Sequence, residues 1–158
     1  MSSVPGLKIA IFGLGYVGLT AAGCLTSQGH HVLGIDVDAR KIADLRAGRS
    51  PIAEPGLDDL LTAALAAGRL DVAHGLDQRL DDRDIAIVCV GTPSAADGSH
   101  DMSYIARVSR QIAEAVAQAA SRGRTEPLTV AYRSIHLRCR GRYHHFVRVQ
   151  TWDHHPRT

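Results

Sequence analysis

Gly13, Gly15 and Gly18 in FGLGYVG, with Asp36 eighteen residues beyond Gly18, are the residues whose types and spacing most clearly suit a chemistry. Gly13 permits a tight turn, Gly15 has no Cβ to obstruct close approach of a pyrophosphate, and Gly18 lets a following helix lie close to its neighbour. A helix beginning near Tyr16 would offer that pyrophosphate its unpaired first-turn N–H groups and the positive end of its dipole. The Asp36 carboxylate accepts hydrogen bonds from ribose hydroxyls and repels a 2′-phosphate, so the pattern points to NAD in preference to NADP.

Other reactive side chains are less decisive. Lys41 is read from its spacing either as a solvated surface lysine or as a partner of the same ribose. Thr92, in GTP after an apolar run, falls at a strand end where it would touch the cofactor. Asp81, Asp82 and Asp84 are grouped like a metal cluster but have no His or Cys at ligand spacing, and read as a solvated turn. No metal site is expected. Three cysteines without CxxC spacing argue against a disulfide framework or a zinc site. Cys89 reads as a buried, inert thiol with no positive partner beside it in sequence.

The elements that must position these residues alternate. Ile9 to Phe12 is a strand, Tyr16 to Gln28 a helix and His31 to Ile35 a strand leading to Asp36. A helix follows from Ala39 to Ala47, capped by Asp38 and ended by Gly48. GRSPIAEPGL (48–57) is a loop, and Leu57 to Ala67 a helix with Leu57, Leu60, Leu61, Ala64 and Leu65 at helical spacing. Leu70 to Ala73 is a short strand and Gly75 to Leu80 a short helix. Ile85 to Val90, the most continuously apolar run, reads as a strand buried on both faces. Asp101 caps a long helix, Met102 to Ser121, and Leu128 to Tyr132 is the last strand. The fold class is α/β, a Rossmann-type parallel sheet of five strands in the order 3-2-1-4-5 with helices on both faces, incomplete at its C-terminal end.

Composition narrows the function classes. The chain has 158 residues, about one domain, of which 45% are hydrophobic, enough for a core. No apolar run approaches the ~20 residues of a membrane span, and MSSVPG has no signal-peptide pattern, so a cytoplasmic protein is expected. The net charge of +2 is uneven: residues 1–134 hold 13 Lys/Arg and 15 Asp/Glu, and residues 135–158 five Arg and one Asp. So nearly neutral a body gives no electrostatic case for nucleic acid or membrane partners.

Taken together, FGLGYVG (12–18), GIDVDARKI (34–42), SPIAEPGL (50–57), CVGTPS (89–94), DGSHDMSYI (97–105) and YRS (132–134) resemble the N-terminal NAD-binding domain of the UDP-glucose/GDP-mannose 6-dehydrogenase family. The form of CVGTPS and the short loop before Tyr104 lean towards its GDP-mannose branch. The resemblance implies NAD contacts from Gly13, Gly15, Tyr16, Val17 and Gly18 at the turn, Asp36 and Lys41 at the ribose, and Thr92 at the fourth strand. It also implies an NAD-dependent oxidoreductase acting on CH–OH, which oxidises the C6 alcohol of a nucleotide sugar to a carboxylate with two NAD. In such enzymes a cysteine is acylated while a lysine, an asparagine and a water assist. Those catalytic positions lie beyond the resembling stretch, so no catalytic residue is assigned here, and a nucleotide sugar is a partner only of a full-length relative.

The resemblance stops inside a motif. Relatives continue the fifth strand as Ser-Thr-Val-x-Pro-Gly-Thr, whereas Ser134 is followed here by Ile135, His136, Leu137 and Arg138. The following stretch, 135–158, is rich in His and Arg and lacks alanine. Its readings are a His-pair metal site, a basic binding tail, or a frame-shifted sequence never selected to fold; the last accounts for both the broken motif and the lost periodicity. The expected division is thus a 1–134 NAD-binding domain and a 135–158 tail without a stable fold. By class, the chain is the cofactor domain of a nucleotide-sugar dehydrogenase, a stand-alone NAD-binding or regulatory module, or, least supported, a nucleic-acid binder.

Overall fold

A computed structural model describes residues 6–76, 80–91 and 102–132 and, as backbone strands, 134–139, 142–146 and 149–152. The chain order is β1 (Lys8–Phe12), α1 (Tyr16–Ser27), β2 (His31–Asp36), α2 (Ala39–Arg46), α3 (Leu57–Ala66), β3 (Leu70–His74), β4 (Ile85–Val88), α4 (Ser103–Ser121), β5 (Leu128–Tyr132), β6 (Ser134–Cys139), β7 (Arg142–Phe146) and β8 (Val149–Trp152). The first five strands pair in parallel in the order β3-β2-β1-β4-β5. This is the expected Rossmann-type sheet.

Alternation along β1 divides the core. Ile9 and Ile11 face a cluster holding Leu19, Ala22 and Leu25 of α1, Ile42 and Leu45 of α2, and Leu57 and Leu61 of α3. Ala10 and Phe12 face the other cluster, with Leu33, Ile35, Val88, Leu128 and Ile112 of α4. Helices therefore cover both faces, which is why the central strands are apolar throughout. Full burial of side chains such as Leu19 and Leu45 stabilises the layers by roughly 1.5–3 kcal/mol each, relative to exposure.

Local chemistry sets the element ends. The Asp38 carboxylate accepts from the amides of Arg40 at 2.9 Å and Lys41 at 3.3 Å, capping α2 as its sequence implies. On α4, Ile105, Val108, Ile112, Ala115, Val116 and Ala119 fall at helical spacing; Ile112 and Ala119 are buried. The cap expected from Asp101 lies outside the described residues, as do 77–79 of the helix expected over Gly75 to Leu80. β4 ends at Val88, two residues earlier than the apolar run suggests. Its neighbour β1 turns away at Gly13, so the Cys89 N–H to Phe12 carbonyl bond at 2.7 Å is the last between them.

The C-terminal stretch differs from the aperiodic tail that its sequence suggests. Its backbone runs as three strands: β6 pairs antiparallel with β7, and β8 pairs antiparallel with β5, giving the sheet a sixth member. An edge strand satisfies its backbone with any extended segment within reach, and side-chain periodicity does not report that pairing.

Candidate functional site

β1, β2 and β4 end together on one edge of the sheet, and a cleft of ≈ 290 Å³ opens there. One side is the β1 turn and the β2 end: Phe12, Gly13, Gly15, Ile35, Asp36, Val37 and Lys41. Val90 and Gly91 beyond β4 and the first turns of α4 supply the other. It lies where β1 passes to β2 on one flank and β4 on the other, the switch point at which open α/β sheets bind ligands.

The glycine turn is built by backbone contact. The Gly13 N–H donates to the Ile35 carbonyl at 2.8 Å, tying the turn to β2. At its φ of +91° an L side chain is strained, and a Cβ there would sit 3.0 Å from the Cys89 and Val90 backbone. Gly15 differs: it caps α1 with extended backbone (φ −77°, ψ −167°), and a Cβ would meet no protein atom within 4 Å. No side chain caps α1, and its first turn contains no acid. The turn therefore offers an anion the open space beside Gly15 and the positive end of a helix dipole.

Asp36 is the site's carboxylate. It is 8% exposed; Oδ2 accepts from the Leu14 N–H and Lys41 Nζ, both at 2.8 Å, and Oδ1 from the Asp38 N–H at 2.9 Å. Burial pushes its pKa up, but the Lys41 hydrogen bond, the two backbone N–H groups and the Lys41 charge together hold it below the usual carboxylate value. An ionised carboxylate has about four acceptor positions, of which these three donors leave one, on Oδ1, for a ribose hydroxyl. The residues therefore fit a dinucleotide on two observations, the space at Gly15 and the spare acceptor of Asp36.

Gly13, Gly15, Asp36 and Lys41 line the cleft together. Tyr16, Val17 and Gly18 stand beside it at the start of α1: Tyr16 is exposed and donates its hydroxyl to Glu54 at 3.1 Å, Val17 is half-buried and Gly18 is buried. Thr92 lies outside the described residues. Cys89 is not disulfide-bonded; it is half-buried and on the cleft wall, where its sequence suggests a sealed thiol. Cys24 on α1 is disulfide-bonded, which cysteine spacing gives no sign of.

Val37, Leu76, Tyr104, Arg107 and Gln111 also line the cleft and were not singled out in sequence. Tyr104 and Arg107 share the three-residue spacing of one helix face, but nothing local shows that this face meets Asp36. A larger cleft of ≈ 430 Å³ lies at the opposite edge, among Asp81–Asp84 and Arg122–Glu126. Its charges are engaged: Arg122 pairs with Asp81 at 2.6 Å and Lys8 with Asp82 at 2.9 Å. Among the described residues no cluster of His, Cys, Asp and Glu could hold a metal, and no helix is long and apolar enough to cross a membrane.

Sheet order, glycine turn and the carboxylate at the end of β2 define a dinucleotide-binding domain of the Rossmann type. Residues 7–121 match the sequence profile of the UDP-glucose/GDP-mannose dehydrogenase family, NAD binding domain. The chain belongs to that family, and NAD is the cofactor of the domain it contains. It is 44% identical over 131 residues to the GDP-mannose 6-dehydrogenase of Pseudomonas aeruginosa, covering 83% of this chain and 29% of that protein. The UDP-glucose 6-dehydrogenase of Bacillus subtilis is 41% identical over 110 residues, 70% of this chain and 25% of that protein. Among solved structures, a ternary complex of the Pseudomonas GDP-mannose dehydrogenase superposes with a TM-score of 0.73 over 80% of this chain and 28% of its own, at 44% identity. The chain thus spans less than a third of these relatives' length.

Proposed function

We propose that this chain supplies the cofactor-binding domain of a nucleotide-sugar 6-dehydrogenase, an enzyme that oxidises the C6 alcohol of GDP-mannose or UDP-glucose to a carboxylate with two NAD, and that its 158 residues do not perform that oxidation alone. The supporting observation is the juxtaposition of the Gly15 opening with the spare acceptor of Asp36 in one cleft. Gly13, Gly15, Tyr16, Val17 and Gly18 would seat the pyrophosphate, Asp36 and Lys41 the adenosine ribose, and Thr92 the cofactor beyond β4. Bound NAD supplies a hydride acceptor. Of the described cysteines, Cys24 is engaged in a disulfide and Cys89 lines the cleft. The proposed domain is 1–134, in a cytoplasmic protein with neither nucleic acid nor membrane as a partner.

Calorimetric titration tests the cofactor reading: NAD binds, and more tightly than NADP. Tighter NADP binding would refute the role of Asp36. With GDP-mannose or UDP-glucose added, no NADH absorbance develops; turnover abolished by Cys89→Ser would overturn the proposed incapacity and make Cys89 the nucleophile. A second reading, a self-contained NAD-binding module, draws on β8, whose antiparallel pairing with β5 covers an otherwise open sheet edge.

A further inference from the structure

Charge in the cleft is unbalanced. Its described lining contains one carboxylate, Asp36, and two cations, Lys41 and Arg107. Lys41 meets Asp36 at 2.8 Å, so that pair is close to neutral. Arg107 is exposed on α4; among the described residues its guanidinium lies over the Tyr104 ring, 5.6 Å from the centroid, and meets no carboxylate. A cleft whose fixed charges sum in this way attracts anions. Among the described residues the cleft's summed charge does not oppose a 2′-phosphate, and the carboxylate that would meet one at the ribose is Asp36.

We propose that Arg107 is a second determinant of cofactor choice, forming with Lys41 a latent site for a ribose 2′-phosphate that Asp36 alone keeps closed. The inference rests on the reading that seats the adenosine ribose at Asp36. A 2′-phosphate presents about −1.5 to −2 charges and three acceptor oxygens. Replacing Asp36 by Asn removes the opposing charge and frees Lys41 Nζ, while the amide oxygen still accepts a backbone N–H. Lys41 then offers a point charge and Arg107 a planar fork of donors suited to phosphate. Neither cation has to be introduced.

The test titrates wild type, Asp36→Asn and Asp36→Asn/Arg107→Ala with NAD and NADP. Asp36→Asn raises the NADP-to-NAD affinity ratio by about tenfold or more, the scale of one or two charge-assisted hydrogen bonds. Adding Arg107→Ala reverses most of that rise. An equal rise with and without Arg107 overturns the proposal, as does equal weakening of NAD and NADP by Arg107→Ala, which would make Arg107 a wall for the purine. If Asp36→Asn does not fold, Asp36→Ser and Asp36→Ser/Arg107→Ala are compared in the same way, and an equal NADP-to-NAD affinity ratio in the two overturns the inference. Wild-type protein that binds no NAD at all would fail the underlying site, a result distinct from these.

Discussion

Gly15 and Gly18 stand three residues apart in one motif and answer to different demands. A Cβ at Gly18 would lie 1.9 Å from the Gly13 carbonyl oxygen, a backbone atom that cannot swing aside, whereas Gly15 faces open space. Gly18→Ala therefore destabilises the fold by about 1–3 kcal/mol, as overpacking does, and Gly15→Ala stays within about 0.5 kcal/mol, both read by denaturant unfolding. Gly15→Val keeps the fold but fills the anion's place and weakens NAD; undiminished binding would remove the turn from the site. Asp36 carries a pH signature of defined sign. Its folded pKa lies below the ordinary 3.8, so its contribution to stability is present above 3.8 and is lost as pH falls through the folded value. Acid titration of unfolding for wild type and Asp36→Asn should show curves of constant separation at neutral pH that converge below 3.8; convergence near neutrality would contradict the lowered pKa.

Among the elements, α4 is tied down at the edge away from the cofactor. Arg124, just past its end, donates to the carbonyls of Leu80 at 2.7 Å, Asp81 at 2.8 Å and Glu126 at 2.8 Å, and also to that of Arg83. One guanidinium thus joins the approach to β4 with the approach to β5 and fixes where α4 leaves the sheet. Its first turns bring Tyr104 and Arg107 to the cleft at the other end. Arg124→Ala leaves several carbonyls without that donor and costs about 1–3 kcal/mol in a melt, with a smaller loss of NAD affinity than the change in stability. A fall in affinity without loss of stability would mean that Arg124 touches the ligand.

For the whole molecule, the question is which strands act as one unit. β1 to β5 are joined in parallel with apolar layers on both faces, while β8 is held at one edge by a register of Leu128↔Trp152 to Ala131↔Val149. The proposed division at 134 predicts that amides of β6, β7 and β8 exchange faster with deuterium than those of β1 and β4, because an edge strand opens without unfolding the centre. Protection of β8 equal to that of β1 would extend the folded unit through 152 and favour the self-contained module. Removing 135–158 should then promote association through the uncovered β5 edge, visible in light scattering.

The strand–helix alternation, the 3-2-1-4-5 order and the glycine–acid pair were legible in the residues alone, because each depends on local periodicity, turn geometry or handed crossovers. Asp38 as a cap and β5 as Leu128–Tyr132 were legible for the same reason. Resemblance to known motifs, rather than spacing, singled out Lys41. Tertiary structure decided the rest: that Lys41 Nζ reaches Asp36, that Cys89 lies on the cleft wall, that β8 pairs with β5, and that Arg107 faces the same cleft from α4. Arg107 is 71 residues from Asp36 along the chain, and only the packing of α4 against the opposite face of the sheet brings the two to one edge.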